Sequence, residues 1–140
     1  VESEDETMKR NVVLVTGGRG FSSIDMFEWA MNRWRPSHLV AGDASGADAM
    51  AREYAIKVGI PLMVGVAHWK ALGRVAGPTR NKAMVEMCHI DLCLAFPGGV
   101  GTANCRSLAE VSGINVIDVS EAYVGMIRIA HDSIGKDSSS

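Results

Sequence analysis

The sequence is poor in the features that would assign a function class at once. It has three cysteines in 140 residues, an odd number that cannot all pair, which suits a reducing, cytoplasmic setting. Cys88, Cys93 and Cys105 match no zinc spacing, and the Cys88-His89 pair reads as structural, so neither a metal nor a cofactor is expected. Charge of one sign is also missing. Fourteen basic against sixteen acidic residues leave a net charge of -2, which argues against duplex nucleic acid and against a membrane surface as partners. Aromatic residues make up 6% of the chain and form no basic, aromatic track, which counts against a single-strand DNA binder. No apolar run approaches the roughly 20 residues needed to span a bilayer. Residues 1–10 are acidic, then basic, without the apolar centre of a signal peptide.

What the sequence does have is core-forming residues, at 47% of the chain, enough for one globular domain. Residues 1–10 read as a mobile arm, residues 11–135 as the domain and residues 136–140 as a frayed tail. Apolar runs predict strands at residues 11–16, 38–41, 61–66, 91–96 and 114–118. Helices alternate with them. Ser22 or Ser23 caps one carrying Ile24, Phe27, Met31 and Trp34 on one face. A second carries Ala47, Met50, Ala51, Tyr54, Ala55 and Val58, with Gly59 as its C-cap. After a long connection over residues 67–78, Thr79 caps a third, with Met84, Met87 and Cys88 inward. A fourth begins at about Gly101, and Ser120 caps a last one bearing Tyr123, Ile127, Ala130 and Ile134. This alternation predicts an α/β fold, a Rossmann-like, doubly wound parallel sheet of five strands in the order 3-2-1-4-5.

The ligand crevice of such a sheet lies where the winding reverses, beyond the carboxyl ends of the first and fourth strands. Those strands run into the two richest glycine turns, Gly17-Gly18-Arg19-Gly20 and Pro97-Gly98-Gly99-Val100-Gly101-Thr102. The second turn passes straight into a helix, whose free N–H groups and positive dipole end suit a phosphate; the competing reading is a tight reversal and no more. Asp43 and Asp48 lie on a turn that also faces the crevice, as acids: Asp43 follows the second strand and either faces a ribose hydroxyl or caps the next helix, while Asp48 first offsets that helix's dipole. Arg19, Arg74 and Arg80 each adjoin a glycine turn and together suggest bidentate phosphate recognition. Asn81 reads a base edge or ribose, or bonds its own backbone. Trp69 packs under the long connection or stacks on a base.

Four motifs in this order carry a resemblance. They are Val15-Thr16-Gly17-Gly18-Arg19-Gly20-Phe21, Gly42-Asp43-Ala44-Ser45-Gly46-Ala47-Asp48, Gly73-Arg74-Val75-Ala76-Gly77-Pro78-Thr79-Arg80-Asn81 and Phe96-Pro97-Gly98-Gly99-Val100-Gly101-Thr102. Over residues 11–118 the chain resembles the SLOG superfamily, named for the Smf/DprA and Lonely-Guy proteins, and within it the YspA/YpsA-related branch. The resemblance implies a domain that binds a nucleotide or nucleotide-derived ligand as sensor or carrier. The implied ligand residues are Gly17, Gly18, Arg19, Asp43, Arg74, Gly77, Arg80, Asn81, Pro97, Gly98, Gly99, Gly101 and Thr102. It also implies a homodimer or higher homo-oligomer, for which Trp29, off the main stripe of its helix, is the specific motive. The alternative, from the Lonely-Guy branch, is a phosphoribohydrolase that cuts the N-glycosidic bond of a nucleoside monophosphate. Arg80 would then be catalytic, with Asp43 as a carboxylate. The acid that branch uses three residues past its Gly-Thr pair is here Cys105, which neither supports a cation nor activates water well. A solvent-facing Arg80 is expected to matter more for binding than for stability, and Cys105 the reverse.

Overall fold

The computed structural model describes residues 9–139, with side chains described as far as residue 134. Five strands, β1 (Val12–Thr16), β2 (His38–Gly42), β3 (Leu62–Gly65), β4 (Leu92–Ala95) and β5 (Asn115–Asp118), form one sheet in the order β3-β2-β1-β4-β5. All neighbouring pairs are parallel, as the alternation of apolar runs and helical stripes predicts.

Because side chains alternate across a strand, β1 feeds two cores. Val13 and Val15 point into one, closed by Phe27, Ala30 and Met31 of α1 (Ile24–Trp34), by Ala47, Ala51 and Ala55 of α2 (Ala47–Val58), and by Val119 at the head of α6 (Val119–Ser139). Val12 and Leu14 point into the other, closed by Met84 and Val85 of α4 (Ala76–Met87) and by Cys105 and Ala109 of α5 (Val100–Val111). A short α3 (Trp69–Leu72) precedes α4.

Caps confirm several sequence-level boundaries. The Ser23 side chain accepts the Met26 N–H at 3.2 Å, and Gly59 ends α2 in the left-handed region. Other boundaries moved. The connection at residues 67–78 is not a loop: α3, a 3-10 turn at Gly73–Val75 and the first turn of α4 fill it. Thr79 is therefore inside α4 and caps nothing. Gly77-Pro78 occupy its first turn, where the N–H that proline lacks has no intrahelical acceptor anyway. Asp118, not Ser120, holds the head of α6, accepting the Glu121 N–H at 3.0 Å. The apolar face expected on α6 is largely bare, with Ile127 and Ile134 exposed. Its backbone stays helical to Ser139, past the start expected for a frayed tail, and no proline interrupts it. Of the expected arm, Lys9 and Arg10 are exposed and outside any element, and residues 1–8 lie outside the described residues. No helix among the described residues is long and apolar enough to cross a membrane.

Asp91 fastens the two central strands at the end away from the glycine turns. Its Oδ2 accepts the Val12 N–H at 2.8 Å and its own N–H donates to the Val12 carbonyl at 2.8 Å. The Val12 N–H, helped by His89, holds its carboxyl below the ordinary carboxylate range. A lowered carboxylate contributes stability that is complete above its unfolded value and is lost as pH falls through its folded one. Asp91→Asn should therefore cost about 0.5–1 kcal/mol at neutral pH, the low end because the side chain is partly solvated, and less as pH drops below about 4. Urea titrations at pH 7 and pH 3 measure both; an equal loss at the two pH values would contradict this account.

Candidate functional site

Beyond the carboxyl ends of β1 and β4 the backbone does the positioning. The Gly18 N–H donates to the Pro97 carbonyl at 2.8 Å, joining the two glycine turns. The Ala47 N–H donates to the Gly18 carbonyl at 3.2 Å, and Ser45 Oγ to the Arg19 carbonyl at 3.1 Å, which ties in the turn after β2. The approach of the first two turns leaves no room for side chains. A β-carbon on Gly98 would collide with Thr102 Oγ1 and lie 2.7 Å from the Gly18 nitrogen.

The result is a cavity of about 400 Å³ at the point where the winding reverses. Gly17, Gly18 and Arg19 line it from the first turn, and Gly99, Gly101 and Thr102 from the second. Arg74, Gly77, Arg80 and Asn81 line it from the connection and α4. The head of α5 opens onto it with Gly99 at the N-cap and no side-chain cap, so its first N–H groups stay available. Pro97 and Gly98 instead face a second cleft of about 850 Å³ on the other flank of the same turn, with Arg106, Asp118 and Arg128. In that cleft the Arg106 guanidinium is held by Asp118 at 3.2 Å.

The three arginines are not equivalent. Arg19 is exposed and lies over the Trp69 ring, 5.4 Å from its centre. Arg74 is exposed on the 3-10 turn. Arg80 is not solvent-facing, contrary to expectation. Its side chain is 11% exposed, with Nη1 donating to Asp43 Oδ1 at 2.9 Å and Nε donating to Asn81 Oδ1 at 2.9 Å.

Asp43 therefore has neither expected role. It does not cap α2, whose N-cap is Gly46 without a side-chain bond, and it is not on the cavity wall. Its carboxylate lies behind Arg80 and takes the Ala67 N–H, 3.3 Å from either oxygen. Asn81, buried, bonds neither its own backbone nor open space. Its amide nitrogen donates to the Gly101 carbonyl at 3.2 Å and to Asn104 Oδ1 at 3.0 Å, so it fixes Arg80 against the head of α5. Trp69 does not pack beneath the connection: it is half exposed and lines the cavity. Trp29 finds partners within the chain, with its ring 5.3 Å from Trp34 and 5.4 Å from Tyr123, which removes the specific motive for an oligomer.

One polar side chain of the cavity, Asn104, escaped the sequence reading, while Asp48, on the crevice-facing turn, reads there first as an acid offsetting its helix's dipole. Asn104 follows the Gly-Thr pair one helical step from Gly101, a spacing that could have flagged it. Nothing in the sequence signals that Asp48 is buried. It is 6% exposed, and burial pushes its carboxyl up against the opposing pull of Arg80. Cys105 is fully buried, and desolvation pushes its thiol up against the opposing pull of Thr16. No group of three or more potential ligands for a metal occurs among the described residues. The chain matches no protein-family model and no curated protein.

Proposed function

We propose that this chain is a SLOG-type domain that binds a nucleotide or nucleotide-derived ligand, as sensor or carrier. The observation that carries the reading is the cavity at the winding reversal. An uncapped helix head and three arginines line it together, the chemistry that holds a phosphate. The half-exposed Trp69 beside it offers a surface for a base. Binding is preferred to glycosidic cleavage because the position matching the Lonely-Guy acid is a buried thiol, and because Asp43 is committed to Arg80. A thermal-shift series with nucleoside mono-, di- and triphosphates, NAD and ADP-ribose tests the reading, since a ligand at a hundred times its Kd adds about 2.7 kcal/mol to stability. We expect at least one to raise the midpoint by several degrees, and phosphate in a crystal to sit on the N–H groups of residues 98–102. No shift with any of them, or an anion found only elsewhere, would defeat the proposal.

The same reading extends to a homo-oligomer, which Trp29 no longer motivates; its face is the apolar groove on the α1–α6 side, where Trp34, Met126 and Ile129 stay open. Light scattering at micromolar concentration checks it: a monomer alone would end it.

A further inference from the structure

Asp48 is the one buried charged side chain among the described residues, and it lines the cavity. A buried carboxylate is costly unless something pairs with it. The two cations near it donate elsewhere. Arg80 is taken by Asp43 and Asn81, and Arg52 Nη1 donates to the carbonyls of Gly42 and Ala44, each at 2.8 Å. The only hydrogen bond Asp48 receives among the described residues is from the Ala44 N–H, at a long 3.3 Å to Oδ2. Its place is well defined. Asp48 Oδ2 and Arg80 Nη1 both lie 2.5 Å from where a β-carbon on Gly42 would stand. Arg80 and Arg52 pull on its charge electrostatically, and Asp43 and Cys105 oppose it.

The geometry points to Asp48 as the specificity-determining residue of the cavity: it accepts hydrogen bonds from the vicinal hydroxyls of a ligand's pentose. This rests on the nucleotide reading above. In a 5′-phosphate the sugar adjoins the phosphate, so it falls between the glycine turns and Arg80, where Asp48 lies, while Trp69, Pro78 and Met84 offer the apolar wall for a base. A metal cation is a poor occupant beside Arg80 and Arg52. No side-chain oxygen among the described residues is both fully buried and unpartnered, so the unbonded Asp48 oxygen opens to the cavity, and an acceptor there discriminates because a ligand lacking the donor leaves it unpaired. The raised carboxyl fits the same picture, a group that burial has cost stability and that a bound hydroxyl would satisfy.

Calorimetry with the four ribonucleoside 5′-monophosphates, their 2′,3′-dideoxy counterparts and inorganic phosphate tests this on the full chain. Wild type should prefer the best ribo form over its dideoxy form by about tenfold or more. Asp48→Ala should bring that ratio to within about twofold by losing ribo affinity alone. Asp48→Asn should keep part of the preference and melt no lower than wild type, because it removes a desolvated charge. Equal binding of ribo and dideoxy forms by wild type overturns the assignment and leaves the nucleotide reading standing. Binding of none overturns both. An Asp48→Asn protein with a lowered midpoint and an intact ratio makes the residue structural and also overturns it.

Discussion

Gly46→Ala should cost about 3–5 kcal/mol, enough to leave a domain of ordinary stability close to unfolding at room temperature. Two penalties add. Gly46 has φ +72° and ψ -128°, a region that side chains other than hydrogen rarely enter. A β-carbon there would also collide with the Gly18 carbonyl oxygen and lie 2.6 Å from both the carbonyl carbon and oxygen of Arg19. Those are backbone atoms, and they cannot swing aside as a flexible side chain would. The Ala47 N–H bond to Gly18, which joins the turn after β2 to the turn after β1, would break as well. Gly59, at the other end of α2, supplies the control. Its φ is +77°, but nothing lies within 4 Å of its would-be β-carbon, so Gly59→Ala should cost only about 1 kcal/mol. Guanidinium denaturation of the two variants beside wild type measures the difference. Losses of equal size would mean that the turns are not held together as described.

The order of the sheet was legible because buried parallel strands are continuous apolar runs, and residues 12–15 and 92–96 are nothing else. The place of the cavity followed from it, since the winding reverses only once and both strands there run into glycine-rich turns. What could not be read was the direction of polar side chains. Asp43, Arg80 and Asn81 each carry a chemistry suited to a ligand, and their residue types alone do not reveal that they first satisfy one another. Asp48, on the crevice-facing turn, reads first as an acid for the helix dipole, for the converse reason. A carboxylate in the first turn of a helix is ordinarily solvated, and its burial here depends on the close approach of Gly42 and the Arg80 side chain. The 3-10 turn and the early start of α4 were hidden by Gly77-Pro78, a pair that usually marks a turn but also suits a first helical turn.

Arg80→Ala should lose on both counts, binding and folding. In the cavity it removes a guanidinium of the kind that contributes about 1.5–3 kcal/mol to a phosphate, so affinity should fall roughly tenfold or more. The cost in stability comes from what it leaves behind. Asn81 Oδ1, in a buried residue, loses its 2.9 Å donor, and Asp48 loses the largest electrostatic influence opposing its desolvation. Asp43 adds little, because its side chain is 34% exposed and water can take over from the guanidinium. The sum is about 2 kcal/mol, well above the 0.5 kcal/mol typical of a solvent-facing side chain. Asp43→Asn should cost less than about 1 kcal/mol, since it keeps the guanidinium and its bond to Asn81. Arg80→Lys should recover charge but not the fork that reaches Asp43 and Asn81 together, so its stability should fall between those of Arg80→Ala and wild type. Denaturant midpoints for the three variants, with nucleotide titrations of each folded protein, read the two effects separately. A midpoint for Arg80→Ala indistinguishable from wild type would show that the Asp43–Arg80–Asn81 chain carries no weight in the fold. Unchanged affinity would remove Arg80 from the site.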